Sequence, residues 1–278
     1  THRNGFRLGA DVGFKDFLWE ALYDPAPGLD MIATAENLAR RYGLSREAVD
    51  SYALNSHQQA LQAQASGWFA EEIVMVGTEV FALDGYQPRG VSLPRRCESV
   101  SLDSHPRITD AAALARLGAI HAQGVQTAGN SCAVVDGAAA VLVGRVSADR
   151  PAMAHLLASA VIGVAPEYMG IGPVPAIQLL LQRSGLALED IALFEINEAQ
   201  GAQVLAVAQA LELDHQKLNC RGGSIALGHP LAATGLRLVM TLARQLREQH
   251  VRYGIAAACV GGGQGMAVLI ENPNFSTT

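Results

Sequence analysis

The chain has 278 residues, 50% of them apolar and only 17% charged, with 20 basic against 26 acidic side chains and a net charge of −6. This composition excludes a disordered, solvating chain, and with no dense basic cluster it argues against a nucleic-acid partner. The length suits about two domains, while the sparse charge leaves the expectation of large contacts with something outside the chain.

The first region is predicted to run over residues 1–125. A short helix is expected from Thr34. A longer one should run from a cap at Ser45 to Gly67, because Val49, Tyr52, Ala53, Ser56, Ala60 and Ala63 fall on one stripe at three- and four-residue spacing. The run ALDGYQPRGVSLPRRCESVSLDSHPR, rich in Pro, Gly, Ser and Arg, predicts an irregular surface excursion. A helix over about 111–119 closes the region. From Gln126 the texture becomes α/β. A strand is predicted at 138–143 and, in a similar pattern after Gly265, at 266–270, which hints at a duplication whose first copy is only a tail. Strands near 156–164, 191–196 and 255–259 alternate with helices at about 175–184, 198–211 and 231–247, so a layered α/β domain is expected over 151–278. Residues 126–150 form the remnant between the two.

No apolar run approaches the roughly 18 residues of a membrane helix, and THRNGFRLGAD has no signal-peptide core. A soluble, cytoplasmic protein without a membrane partner is expected. Thr1 stands where a native start would place methionine, so the chain is not expected to open at its translation start. Lys15 and Lys217 are the only lysines, and codon usage explains the arginine excess better than phosphate recognition does. Cys97, Cys132, Cys220 and Cys259 form no CxxC pair and the eight histidines show no HxxxH or HExxH spacing, so reduced thiols and no metal site are expected.

Three places carry candidate chemistry. Asn197 lies at the carboxyl end of an apolar strand, where α/β sheets bind ligands; its amide can hold a water or an oxyanion, or simply cap the next helix. His229 stands before Pro230, the expected first residue of a helix, whose dipole would disfavour the imidazolium and keep a base available, although packing alone would also explain it. Cys259 closes a strand and precedes Gly261, Gly262 and Gly263, whose amides can form an anion-binding nest, or merely a hairpin turn. The glycines join two strands and open no helix, which argues against a dinucleotide loop.

NEA at 197–199, GGSIALGHPLAATG at 222–235 and CVGGGQG at 259–265 resemble, in sequence and order, the motifs of the thiolase family. MIATAENLARRYGLSREAVDSYALNSHQQALQAQASGWFAEEIV resembles that family's loop domain, and TAGNSCAVVDGAAA the last strand region of its first core domain. The resemblance covers essentially the whole chain. It implies a layered αβαβα fold with an incomplete first core domain, and acetyl-CoA acyltransferase chemistry: reversible condensation and thiolysis of 3-oxoacyl-CoA through an acyl-enzyme, as in fatty-acid β-oxidation. Coenzyme A thioesters would be substrates, no cofactor would stay bound, and the assembly would be a homodimer or homotetramer.

Carried over by motif, His229 would activate the nucleophilic cysteine and, with a water on Asn197, stabilise the enolate oxygen. Cys259 would take or return the α-carbon proton, and the Gly261 amide would help bind the oxyanion of the covalent intermediate. Met31 and Met169 would line the acyl tunnel, and Cys132 stands where the family commonly has a serine near the pantetheine arm. The nucleophile's motif lies N-terminal to everything seen here, so the 278 residues alone are expected to be inactive, with Cys97, Cys132 and Cys220 poor substitutes. Departures from the family pattern are Gln200 after NEA, the run Ala232-Ala233-Thr234, Asp30 and Ile32 around Met31, and a displaced Arg116. The alternatives are a non-acylating coenzyme A-binding or scaffolding subunit, and a hydrolase built on Cys259 and His229.

Overall fold

The computed structural model describes residues 17–82, 84–85, 87, 89–90, 93, 98–147 and 149–275; the THRNGFRLGAD stretch, Lys15 and Cys97 lie outside them. The first described region is built on two helices. Helix α1 (Met31–Tyr42) begins three residues before Thr34, because the Asp30 carboxylate accepts from the Ala33 amide at 2.7 Å and caps it, and left-handed Gly43 stops it. Helix α2 (Arg46–Ala65) is capped by Ser45, whose hydroxyl accepts from Ala48 N at 3.2 Å. All six residues of the expected stripe are buried. Short strand pairs, Val76–Gly77 with Ser99–Val100 and Val80–Phe81 with Arg89–Gly90, punctuate the excursion, and helix α3 (Ala111–Ala115) is shorter than expected.

The second region is a four-stranded mixed sheet between helices. Strands β1 (His155–Gly163), β2 (Ile191–Ile196), β3 (Tyr253–Val260) and β4 (Gln264–Glu271) lie in the order β1-β4-β3-β2, with β2 and β3 parallel and the other pairs antiparallel. The period-two alternation of a strand sends neighbours to opposite faces. Phe194, Ile196, Ile255 and Leu269 therefore pack with Ile177 and Leu180 of helix α4 (Pro173–Ser184) and Val204 and Val207 of helix α5 (Gly201–Ala210). Leu193, Ala256 and Ile270 meet Leu238, Leu242 and Leu246 of helix α6 (Thr234–Glu248) on the other face.

One strand expectation fails. Residues 138–143 form no strand; Leu142 is 94% and Val143 82% exposed. An extended segment becomes a strand only when a neighbour satisfies its backbone, and no strand among the described residues lies beside this one. Leu156, Leu157 and Val161 on the edge strand β1 are exposed as well, so uncovered apolar side chains also lie along that edge of the sheet.

Candidate active site

The parallel pairing of β2 with β3 runs through Ile196 opposite Ala257, and Asn197 N continues it by donating to Ala257 O at 2.9 Å. Asn197 thus sits at the carboxyl end of β2, beside the strand that ends in Cys259. It does not cap α5, which starts at Gly201 after Gln200. The Asn197 side chain is turned inward and buried. Its Oδ1 accepts from Ser224 Oγ at 2.7 Å, and its Nδ2 lies 3.3 Å from His229 Nε2. The structure therefore brings together the amide and the imidazole that the sequence singles out 32 residues apart.

His229 is not at a helix N-terminus. Residues 231–233 form turns in which Ala233 N and Thr234 N donate to Pro230 O, and α6 opens only at Thr234. The dipole argument fails there, because that effect fades beyond the first turn of a helix. Burial instead lowers the His229 pKa to about 4, helped by the positive charge of Arg237. The consequence is the one expected from the dipole: a neutral imidazole at physiological pH. Its other nitrogen, Nδ1, lies 2.6 Å from Thr234 Oγ1, so the threonine in the divergent Ala232-Ala233-Thr234 run orients the ring.

Cys259 is buried near the end of β3, and burial pushes its pKa up to about 12, so the sulfur carries its proton. Beyond it the glycine turn joins β3 to β4, with Gly262 and Gly263 in the left-handed region. The nest is partly filled from within the chain: Gly262 N donates to Asp24 Oδ2 at 3.1 Å. Met31 arrives at the same turn, its sulfur 3.7 Å from where a Cβ on Gly261 would lie. Gly261 and Met31 are thus neighbours.

The stretch containing Cys132 threads past these groups. Cys132 N donates to Ala199 O at 3.2 Å, Gly201 N to Asn130 O at 2.9 Å, and His229 N to Ala133 O at 2.8 Å. Cys132 is half-buried, and burial, with smaller contributions from Cys259 and Glu198, pushes its pKa up to about 12. Such a thiol is a poor nucleophile. Cys220 is held near 11, mainly by burial. Met169 is buried in the turn Pro166–Ile171, which packs on α1 and α5 and also against β3, the strand that carries Cys259.

Sequence reasoning missed the groups that hold the site. Glu198, fully interior, accepts from Tyr52 Oη, Asn219 Nδ2, Ser56 Oγ and Ile225 N at 2.7–3.1 Å. Tyr52 and Ser56 were legible only as members of the α2 stripe. Gln200 accepts from Gln126 Nε2 at 2.9 Å, and Gln126 Oε1 accepts from Ala202 N at 2.9 Å, so this departure is matched by a buried amide partner. Arg237 donates to Ser224 and to the buried Glu195.

Comparison with known proteins gives one answer. The model of the thiolase N-terminal domain matches residues 1–147, and that of the thiolase C-terminal domain matches residues 150–272. A mitochondrial 3-ketoacyl-CoA thiolase of Bos taurus is 41% identical over 276 residues, covering 97% of this chain and 66% of its own length. A probable acetyl-CoA acetyltransferase of Escherichia coli (strain K12) is 42% identical over 280 residues, covering 97% of this chain and 67% of its own. Among solved structures, acetyl-CoA acetyltransferase of Bacillus anthracis superposes with a TM-score of 0.82 at 37% identity, over 97% of this chain and 66% of that one. Human mitochondrial 3-ketoacyl-CoA thiolase in complex with CoA gives 0.81 at 36%, over 98% and 66%. The chain spans about two thirds of the length of these relatives.

A mixed sheet between helices, with an amide and an imidazole in contact beyond the end of one strand and a buried thiol near the end of its neighbour, defines an α/β protein. The chain belongs to the thiolase family.

Proposed function

We propose that these 278 residues carry the acid–base half of a coenzyme A-dependent acyltransferase that cleaves and forms 3-oxoacyl-CoA, and that the nucleophilic thiol comes from outside them. The single observation that carries this reading is the His229–Asn197 pair at 3.3 Å beside the strand of Cys259. In thiolysis, neutral His229 takes the proton of the nucleophile, whose thiolate attacks the 3-oxo carbonyl. The C2–C3 bond then breaks, and the departing acetyl-CoA enolate takes a proton at carbon from Cys259. A thiol held near pKa 12 is protonated and ready for that transfer. After its proton gain, Nε2 of His229 becomes a donor and, with a water on Asn197, supports the enolate oxygen.

The relative solved with CoA supports coenzyme A thioesters as the substrate class. Exposed Leu142, Val143, Leu156 and Val161 support assembly into a homodimer or homotetramer with further core contacts. A non-acylating scaffold is disfavoured, because a scaffold has no need of an ordered imidazole–amide pair.

The test is thiolysis of acetoacetyl-CoA by a chain extended to the length of its relatives. Activity should appear there, be absent from the 278 residues alone, and fall by roughly 10²–10⁴ in kcat on His229→Ala or Cys259→Ala. Unchanged rates in both variants, or turnover by the 278 residues alone, contradict the reading.

A further inference from the structure

Five hydrogen bonds pass through the site in one line. Arg237 Nη2 donates to Ser224 Oγ at 3.2 Å, and Ser224 Oγ lies 2.7 Å from Asn197 Oδ1. Asn197 Nδ2 lies 3.3 Å from His229 Nε2, His229 Nδ1 lies 2.6 Å from Thr234 Oγ1, and Thr234 Oγ1 lies 3.1 Å from Pro230 O. The two ends fix the direction of the whole line. A guanidinium only donates, and a backbone carbonyl only accepts.

The middle follows by elimination. Ser224 is fully buried, and Arg237 donates into its oxygen, so the hydroxyl proton needs an acceptor. Among the described contacts that acceptor is Asn197 Oδ1. The amide NH2 is then turned toward His229, and a ring nitrogen facing an NH2 group is the unprotonated one. The ring proton therefore sits on Nδ1 and is donated to Thr234, whose own proton goes to Pro230 O. Turning the amide over would strand the buried Ser224 proton, which costs about 1–3 kcal/mol. The start of the line is itself anchored: Arg237 Nη1 donates to Glu195 Oε2 at 3.1 Å, and Gln245 Nε2 to Glu195 Oε1 at 2.8 Å.

We propose that Ser224 and Arg237 are positioning residues that set the amide of Asn197 and through it hold His229 as the Nδ1–H tautomer, with Nε2 as the basic nitrogen. Neither touches a reacting atom. The consequence for rate rests on the acid–base reading of His229 given above, whereas the tautomer itself does not.

Nitrogen-15 NMR of the His229 ring in the 278-residue chain at pH 7 tests this directly, since protonated and bare ring nitrogens differ widely in shift. The wild type should show a protonated Nδ1 and a bare Nε2. Ser224→Ala should convert this to a tautomer mixture, Ser224→Thr should keep it, and Asn197→Asp, which offers only acceptors, should drive the ring to Nε2–H or to the cation. An Nε2–H ring in the wild type overturns the proposal without any variant, and so does a Ser224→Ala ring identical to the wild type. In the extended chain, Ser224→Ala should lower kcat about tenfold with KM little changed. A shifted tautomer with an unchanged kcat would leave the positioning role standing and count against the acid–base reading of His229.

Discussion

Tyr52 Oη donates to Glu198 Oε1 at 2.8 Å, tying helix α2 to the turn after β2 across 146 residues of chain. Ser56, one helical turn further on, donates to the other oxygen at 2.7 Å, so the buried carboxylate next to Asn197 is held by the face of α2 that covers it. A buried charge is tolerated when its lone pairs are filled.

Removing one donor should therefore be costly. Tyr52→Phe and Ser56→Ala are each expected to lower stability by about 1–3 kcal/mol, with the double variant departing from the sum because both act on one carboxylate. Urea denaturation of the two single variants and the double one checks this.

Gly223 supplies a steric counterpart. A Cβ there would lie 2.2 Å from Glu198 Cδ, whereas Gly235, in the exposed first turn of α6, has nothing within 4 Å. Gly223→Ala should destabilise by about 1–3 kcal/mol or more. Gly235→Ala should be neutral or stabilising by up to about 1 kcal/mol. Thermal melts of the pair check both.

His57 makes the fold sensitive to acid. It is only 3% exposed, its Nδ1 accepts from Arg107 N, and burial, with the charge of Arg107, lowers its pKa from 6.5 to about 4. The unfolded imidazole takes up a proton between pH 6.5 and 4 that the folded one refuses, so its contribution to stability falls as pH drops through that window, by up to about 3 kcal/mol. Glu195, raised by burial to about 7, acts in the opposite sense between 4.5 and 7. Comparing wild type with His57→Asn at pH 7, 6, 5 and 4 isolates the histidine. The stability difference between them should shift in favour of the variant on acidification.

Much of the architecture was legible because burial patterns are periodic. The α2 stripe matches the burial of that helix residue for residue, and the apolar run IALFEI gives β2 its bounds, 191 to 196. Helix starts were misread where a side chain outside the apolar pattern decides: Asp30 opens α1 early, and the Pro230 turns delay α6. The strand expected at 138–143 failed because a strand is a property of two segments, and pattern alone does not supply the second. At the site, Asn197, His229 and Cys259 stand out by motif and by their places at strand ends. Ser224 and Arg237 do not: a serine among glycines and an arginine on an amphipathic helix look ordinary until their partners are known. Glu195 did leave a signal, a lone carboxylate inside an apolar strand.

The most direct measurement is the intact mass of the extended chain after exposure to acetyl-CoA, with peptide mapping of the adduct. Wild type and Cys259→Ala should each take up one acetyl group on a cysteine outside these 278 residues, because Cys259 acts at the α-carbon and not in acylation. His229→Ala should take up little. An acetyl group mapped to Cys132, Cys220 or Cys259, or full acylation of His229→Ala, would contradict the assignment of an acid–base site here and a nucleophile elsewhere.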